Sequence, residues 1–334
     1  MRAIGDLATF MLSGQFQARL RISAETAAQE ATTGITQEKT RHLGGSTLAI
    51  SLLDRKAQLL EQHQRGIAEA AVFASATQQL LDRIQNQASQ LASDLALASQ
   101  IQTSSELKTL SVSAERVFVD TVNALNTEIA GRFLLSGSAT DAKPLLDGQT
   151  LLDMLRNDIV GPMTPDAAKN AIAGWFETLG GPFETNVYSG SVSGFAQHSI
   201  GPENTVTFGL RADSDSVREL LAGLATAVFA SEPALGFAVS DQQDLLEQAR
   251  KTLVQTDRTL TEERAGVGLI EMMIEASRVE TENELERTDL NRMSLLGVDQ
   301  FQAASEFEAA QQQLDVFYRI AARQGRVSLA EYLR

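Results

Sequence analysis

The stretch from Ser240 to Leu296 places the strongest constraint on how this chain can fold. From Leu246 to Ile274 it has an apolar residue at every seventh position, with charged or amide side chains between them, and the whole stretch has no proline. On an α-helix, this repeat forms one narrow apolar stripe, which is the pattern of a coiled-coil seam. The stripe consists of Leu246, Leu253, Leu260, Val267 and Ile274.

The length of this helix requires a partner. About 55 residues at 1.5 Å per residue give a helix of roughly 80 Å. Ser240 followed by Gln243 has the pattern of a capping box, which predicts that the helix begins there. An apolar stripe on so long a helix must be buried against a matching stripe elsewhere in the chain.

The matching stripe lies near the other end of the chain. A second seven-residue repeat precedes a shorter helical run over 103–124, in which Thr103 and Glu106 form a predicted capping box. We therefore expect the two ends of the chain to pack as antiparallel helices, with the middle forming a separate insertion. The second stripe consists of Leu53, Leu60, Ile67, Ala74, Leu81, Ala88 and Leu95.

The middle of the chain has a different composition. All 6 prolines lie within 141–235, a segment of about 95 residues, which is enough for a core of its own. Alternating apolar residues and turn signals predict a small α+β unit. Its predicted elements are a helix over 165–179 with Pro165 in the first turn, strands at 186–188, 194–200 and 205–210, and a helix over 213–230.

The predicted fold is mainly α, a long antiparallel coiled coil or helix bundle built from both chain ends with a small α+β insertion domain. Residues 1–45 plus 297–334 form a terminal helical assembly domain in this scheme. Residues 46–140 plus 236–296 form a coiled-coil rod, and residues 141–235 form the outer insertion. The first helix is only weakly amphipathic and is predicted to end at Thr32-Thr33-Gly34.

Composition excludes several classes of function. A net charge of −15 argues against nucleic-acid binding, which requires a basic surface. The absence of cysteine excludes disulfides and thiol catalysis. No stretch approaches the roughly 20 apolar residues of a membrane span, so we expect no membrane partner. Residues 1–13 lack the features of a cleaved Sec signal, so export would use another route.

No group of residues has the pattern of a catalytic or metal site. The histidines His42, His63 and His198 are far apart and have no metal-ligand spacing, so each is interpreted as a surface or packing residue. Met272-Met273 is interpreted as seam packing, and the acidic run over 280–286 as a solvated helix face. We expect no enzymatic activity and no cofactor.

The segments 30–35, 122–137 and 328–333 carry motifs that resemble those of the bacterial flagellin superfamily, and within it the hook–filament junction branch. Glu30-Ala-Thr-Thr-Gly-Ile35 is similar to the end of the family's first helix. Residues 122–137 resemble its LN…GRYLFSG segment, with Phe133 and Leu135 in place of Tyr and Phe. Residues 328–333, Ser-Leu-Ala-Glu-Tyr-Leu, resemble its SLFDYL ending. The family's SDDP is absent, and His42-Leu-Gly-Gly-Ser-Thr47 stands in its place.

The resemblance implies a structural role in the bacterial flagellum and in motility. Members of the family leave the cell unfolded through the flagellar type III export apparatus, with an export chaperone on the C-terminal helix. They then polymerise outside the cell with copies of themselves and with other axial proteins, here a neighbouring hook-associated protein and flagellin. Apolar residues of both termini would form the assembly interface: Ile4, Leu7, Met11, Ile22, Phe301, Phe307, Leu314, Phe317, Leu329, Tyr332 and Leu333.

Two alternatives remain open. The chain could be a flagellin of the filament itself, which would be present along the whole filament. It could instead be a cytoplasmic coiled-coil adaptor, which would not be secreted and would have ordered ends as a monomer.

Overall fold

The structure, a computed structural model, describes the backbone of residues 2–332 and the side chains of residues 11–323. This part of the chain is mainly α-helical, as predicted from the sequence. The helices are α1 (Arg2–Thr33), α2 (Lys39–His42), α3 (Leu48–Leu95), α4 (Ser104–Leu125), α5 (Gly148–Asp158), α6 (Pro165–Glu177), α7 (Asp215–Phe229), α8 (Val239–Leu296) and α9 (Gln300–Tyr332).

Two short antiparallel strand pairs accompany the helices. Strand β1 (Glu128–Ile129) pairs with β2 (Arg132–Phe133), and β3 (Gln197–Ser199) pairs with β4 (Thr205–Thr207). In the second pair, His198 lies opposite Val206. The chain divides into two compact units, one formed by residues up to Glu61 and from Glu282 onward, the other by Gln62–Thr281.

In the second unit, α3 and α8 run antiparallel. The Gln78 side-chain amide donates a hydrogen bond to the Arg264 carbonyl oxygen at 2.8 Å, and Gln85 donates to the Asp257 carboxylate at 2.9 Å. The later residue of α3, Gln85, therefore contacts the earlier residue of α8, Asp257, which shows that the two helices run in opposite directions. The seam positions of this unit are buried: Ile67, Ala74, Leu81, Ala88, Leu95, Leu246, Leu253, Leu260, Val267 and Ile274.

The same helices are also antiparallel in the first unit. Arg292 of α8 forms an ion pair with Asp54 of α3 at 2.8 Å, and Lys56 pairs with Glu284. Leu53 and Leu60 of the predicted seam are half-buried here. On the α8 side, Thr288 is buried with its hydroxyl donating to the Glu284 carbonyl oxygen. This part of the seam is therefore less apolar than the part in the second unit.

Helix α7 is the centre of the second unit. Every residue from Ser216 to Phe229 except Glu219 is buried, and the helix packs against α4 and α6. A helix that is buried on all sides requires neighbouring elements around its whole circumference. The core around α7 is continuous with the α3–α8 seam, so residues of 141–235 and of the long helices share one apolar cluster.

The prediction of a strand at 186–188 is wrong. Phe183–Val187 forms one turn of π-helix instead, and both of these end residues are completely buried. In a strand, Thr185 would lie on the same face as Phe183 and Val187 and would be buried with them. The helical turn buries Phe183 and Val187 and leaves Thr185 exposed. The other two predicted strands are present but shorter than 194–200 and 205–210.

Helix α5 was not predicted from the sequence. It is short, and its N-cap residue Asp147 makes no side-chain capping bond. Leu151, Leu152 and Leu155 are completely buried. The helix lies so close to α4 that a Cβ at Gly148 would be 2.9 Å from the Val119 Cα. Tertiary packing therefore stabilises this helix more than local sequence signals do.

The two predicted capping boxes have different outcomes. Thr103 does cap α4, because its hydroxyl oxygen accepts a hydrogen bond from the Glu106 backbone N–H at 3.3 Å. The Ser240 prediction is wrong, because α8 begins one residue earlier, at Val239. There the Asp241 carboxylate accepts from the Ala238 backbone N–H at 3.2 Å. An acidic side chain reaching back to the residue before the helix satisfies that N–H without Ser240.

Candidate assembly surface

Helices α1 and α9 pair along their length and form the candidate site. Five side chains are buried between them and their neighbours, and four of the five are alanines: Leu20, Ala24, Ala27, Ala303 and Ala310. Small side chains allow two helix axes to approach closely. They also bury little apolar area, so this pairing contributes modestly to stability compared with a leucine seam.

Tyr318 of α9 joins the two helices through its hydroxyl. The hydroxyl oxygen accepts hydrogen bonds from the Arg21 guanidinium at 2.8 Å and from the Gln17 side-chain amide at 3.0 Å. These bonds, that from Arg21 above all, lower the pKa of the Tyr318 phenol. The rings of Phe16 and Phe317 lie nearby, 6.0 Å apart.

The connection between the helix pair and the long helices is a short backbone ladder. Ile35 and Gly297 form an antiparallel bridge, with the Thr36 N–H donating to the Leu296 carbonyl oxygen at 2.9 Å. A Cβ at Gly297 would lie 2.6 Å from the Met293 carbonyl oxygen, so only glycine fits there without movement. Gly34 precedes the bridge with φ of +69°, a value that favours glycine.

Glu30 holds the turn that follows α1. One carboxylate oxygen accepts from the Thr36 hydroxyl at 3.0 Å and from the Gln37 backbone N–H at 2.8 Å. Glu30, Gly34 and Ile35 all belong to the segment 30–35 that resembles the flagellin superfamily. In this chain that segment therefore ends α1 and aligns it with the start of α9.

The outer surface of the pair carries large apolar side chains that contact solvent. Phe301 is 83% exposed and Leu12 is 66% exposed. Several large apolar side chains exposed on one pair of helices are candidates for a surface that binds another protein. The exposed set is Met11, Leu12, Phe16, Ile22, Phe301, Val316, Tyr318 and Ile320.

The residues predicted for the assembly interface fall into three groups. Met11, Ile22 and Phe301 are exposed. Phe307, Leu314 and Phe317 are half-buried at three- and four-residue spacing with the buried alanines of α9. The remaining predictions lie outside the described side chains: Ile4, Leu7, Leu329, Tyr332 and Leu333.

Sequence reasoning missed several residues of this surface. Leu12, Val316 and Ile320 are exposed, and Tyr318 makes the polar link to α1. Leu12 and Phe16, like Val316 and Ile320, are four residues apart. This spacing places each pair on one helix face, so it could have predicted these residues from the sequence. The Tyr318 link could not be found this way, since its partners are about 300 positions away.

A polar cleft of about 590 Å³ lies beside the pair, between α1, α2 and α9. Its walls carry both signs of charge, including Arg19, Arg41, Glu30 and Glu306, and Arg41 pairs with Glu38 at 2.9 Å. Within the part of the chain whose side chains are described, no three His, Asp or Glu residues are placed to bind a metal ion. Across the same part, no helix combines the length and apolarity needed to cross a membrane.

The second segment of the resemblance, residues 122–137, lies in the second unit. The side-chain amide of Asn126 forms two hydrogen bonds with the backbone of Leu145. Its oxygen accepts from the Leu145 N–H at 2.9 Å, and its nitrogen donates to the Leu145 carbonyl oxygen at 3.1 Å. Leu135 is buried, and its carbonyl oxygen accepts from the Ala212 N–H at 2.9 Å. Gly137 has φ of +64°, and a Cβ there would lie 2.8 Å from the Ser191 carbonyl oxygen. This segment therefore joins three loops of the second unit.

Comparison with known proteins gives limited information. No family model and no curated protein matches the chain. The chain is similar to a solved structure from Vibrio parahaemolyticus, of a protein provisionally described as flagellar hook-associated. The sequence identity is 12% and the TM-score 0.37, over 70% of this chain and 96% of that one. At this identity and TM-score, two proteins need not share a function.

Proposed function

We propose that this chain is a structural subunit of a bacterial flagellum that joins the hook to the filament. It would be exported unfolded and would polymerise outside the cell through α1 and α9. Its partners would be further copies of itself, a neighbouring hook-associated protein, flagellin and, before export, a chaperone. The motif resemblances at 30–35, 122–137 and 328–333 support this choice over other assemblies of helical proteins.

One observation carries the proposal, namely the large apolar side chains exposed on the terminal helix pair. Burying one such side chain is worth roughly 1.5–3 kcal/mol, so covering several at once favours association strongly. Inside the pair, the fully buried residues are mostly alanines, and Phe307, Leu314 and Phe317 are half-buried on the same face of α9. The side chains left in solvent therefore favour packing against another subunit.

The polar groups of the chain support a non-enzymatic role. Many of its charged side chains are paired along helix surfaces, as Arg278 is with Glu275 and Lys56 with Glu284. The interpretation of Met272 and Met273 as seam packing is wrong, because both side chains are exposed on α8. We infer that the charged residues make the helices soluble and align them, without acting on a substrate.

The experiment that tests the proposal is immunogold electron microscopy of intact cells with an antibody raised against residues 141–235. A single label at the base of each filament is the expected result. Label along the whole filament would identify the chain as a flagellin, and label restricted to the cytoplasm would favour an adaptor. Either of these results would overturn the junction role.

A second test removes the proposed assembly elements. A chain lacking residues 297–334 should remain a soluble protein that no longer attaches to filaments. The control is an internal deletion in an exposed loop of the second unit, around Leu179. Filament attachment by the truncated chain would contradict assembly through α9.

A further inference from the structure

The β3–β4 hairpin packs on the second unit through the centre of each strand and through buried residues that flank the strands, among them Ile200 and Phe208. Both strands have one buried central residue between two exposed neighbours, His198 in β3 and Val206 in β4. These two residues face each other in the strand register. A histidine therefore occupies the buried centre of β3, in a place where an apolar residue would be expected.

His198 is enclosed by aromatic rings. Its side chain is 3% exposed, and its ring centroid lies 4.5 Å from that of Phe73 on α3 and 5.5 Å from that of Phe208, which follows β4. Two charged groups reach the imidazole. The Glu69 carboxylate of α3 lies 3.7 Å from Nδ1, and Arg132 of β2 pairs with that same carboxylate and lies over the Phe73 ring.

The second ring nitrogen of His198 has no hydrogen-bond partner among the described residues. Nε2 is buried from solvent, while Nδ1 faces Glu69. A neutral imidazole can place its proton on Nδ1 and leave Nε2 as an unpaired lone pair. A protonated imidazole would instead have a charged N–H at Nε2 with no acceptor, and burying an unpaired charged donor is far more costly.

Next to His198, the backbone of the hairpin approaches α3 closely at Ser199. Gly66 lies seven residues before Phe73 on the same face of α3, and its missing side chain leaves room for the hairpin backbone. A Cβ there would lie 2.4 Å from the Ser199 carbonyl oxygen. The hairpin therefore contacts α3 through its backbone at Gly66 and, two helical turns further along, through His198 against Phe73.

From this geometry, we propose that His198 makes the docking of the β3–β4 hairpin on α3 dependent on pH. With neutral His198 the hairpin is docked; with protonated His198 it opens from α3. The charged groups that face the imidazole are Glu69 from α3 and Arg132 from β2, and Val206 and Phe208 on the hairpin side are apolar.

The direction of the effect follows from proton linkage. Burial lowers the pKa of His198, Arg132 lowers it further, and Glu69 opposes both. The open hairpin therefore binds a proton more readily than the docked one, so docking weakens as pH falls below the ordinary histidine pKa of about 6.5. Docking is at full strength above that pH.

Amide hydrogen exchange of the full chain, followed by mass spectrometry on peptides covering 195–208, tests the proposal. After correction for intrinsic exchange rates, opening should increase between pH 7.5 and pH 5.0 by up to about 30-fold, the limit set by an opened-state pKa near 6.5. Equal protection at the two pH values would overturn the proposal.

Two variants and one titration locate the effect. His198→Phe fills the same aromatic site without a titratable group and should exchange equally at both pH values. His63→Gln, which removes a half-buried histidine of α3 outside this cluster, should retain the full pH response. A response that survives His198→Phe would overturn the proposal. If His198→Phe fails to fold, NMR titration of His198 in the wild-type chain tests the proposal instead. A pKa of His198 at or above 6.5 would contradict the proposal, because docking must lower it.

Discussion

The Tyr318 hydroxyl accepts a hydrogen bond from the Arg21 guanidinium at 2.8 Å, which joins α9 to α1 across the terminal pair. Both side chains are exposed, and the residues buried in the pair are mostly alanines. This polar link therefore contributes to the alignment of two helices whose fully buried residues are small.

Replacement of Tyr318 by Phe should loosen the terminal pair. The change keeps the ring but removes the oxygen that accepts from Arg21 and Gln17. The free energy of pairing between α1 and α9 should therefore fall by about 1 kcal/mol or less, the range of an exposed hydrogen bond. Limited proteolysis should then cleave α1 and α9 severalfold faster, with no change in the second unit. Arg319→Gln is the control, because Arg319 pairs within α9, with Asp315. Equal proteolysis of the two variants would contradict the cross-helix role.

Replacement of Phe301 by Ser should impair assembly without destabilising the monomer. Phe301 is 83% exposed, so the monomer loses almost no packing, whereas a subunit contact would lose roughly 1.5–3 kcal/mol. Filament attachment and sedimentation of the purified protein measure the two effects. Leu179→Ser, at a position 81% exposed in the second unit, is the matched control. Wild-type attachment by the Phe301 variant would remove this residue from the interface.

Replacement of Leu260 by Asp should destabilise the second unit severely. Leu260 is 1% exposed, and an unpaired carboxylate buried there costs several kcal/mol, a large share of a typical domain's stability. Thermal unfolding followed by circular dichroism should show the loss. Met272→Asp on the same helix, at a position 68% exposed, should change stability by less than about 0.5 kcal/mol. Similar melting curves for both variants would refute the seam.

Two glycine replacements should act in opposite directions. Gly66→Ala places a Cβ against the Ser199 carbonyl oxygen and should destabilise the second unit by about 1–3 kcal/mol, as overpacking does. Gly266→Ala on α8 meets open space and should stabilise the helix by up to about 1 kcal/mol. Urea unfolding of both proteins gives the comparison. A neutral Gly66→Ala would mean that the hairpin does not depend on this close approach.

The long helices could be predicted because their signals are local and repeated. The seven-residue repeat between Leu246 and Ile274 predicted one helix near 240–296, and α8 spans Val239–Leu296. Thr103 likewise caps α4 as predicted, because a cap needs only residues three positions apart. Signals of this kind are independent of what the rest of the chain does.

Prediction failed where distant packing decides local structure. A strand was predicted at 186–188, but Phe183–Val187 forms a helical turn that buries both of its end residues. Helix α5 lacks a side-chain cap and depends on its contact with α4 at Gly148. Of the residues proposed for assembly, Met11, Ile22 and Phe301 are exposed, whereas the Tyr318–Arg21 link depends on residues that are far apart in sequence.

By itself, the sequence determined that this chain forms long antiparallel helices with apolar seams, because proline-free heptad repeats allow few other folds. Only the tertiary structure decided which apolar residues the terminal helices leave in solvent, and that His198 is enclosed between α3 and a two-stranded hairpin. The reason is physical. A repeat specifies the face that a helix must bury, whereas exposure and enclosure depend on which distant segments pack against it.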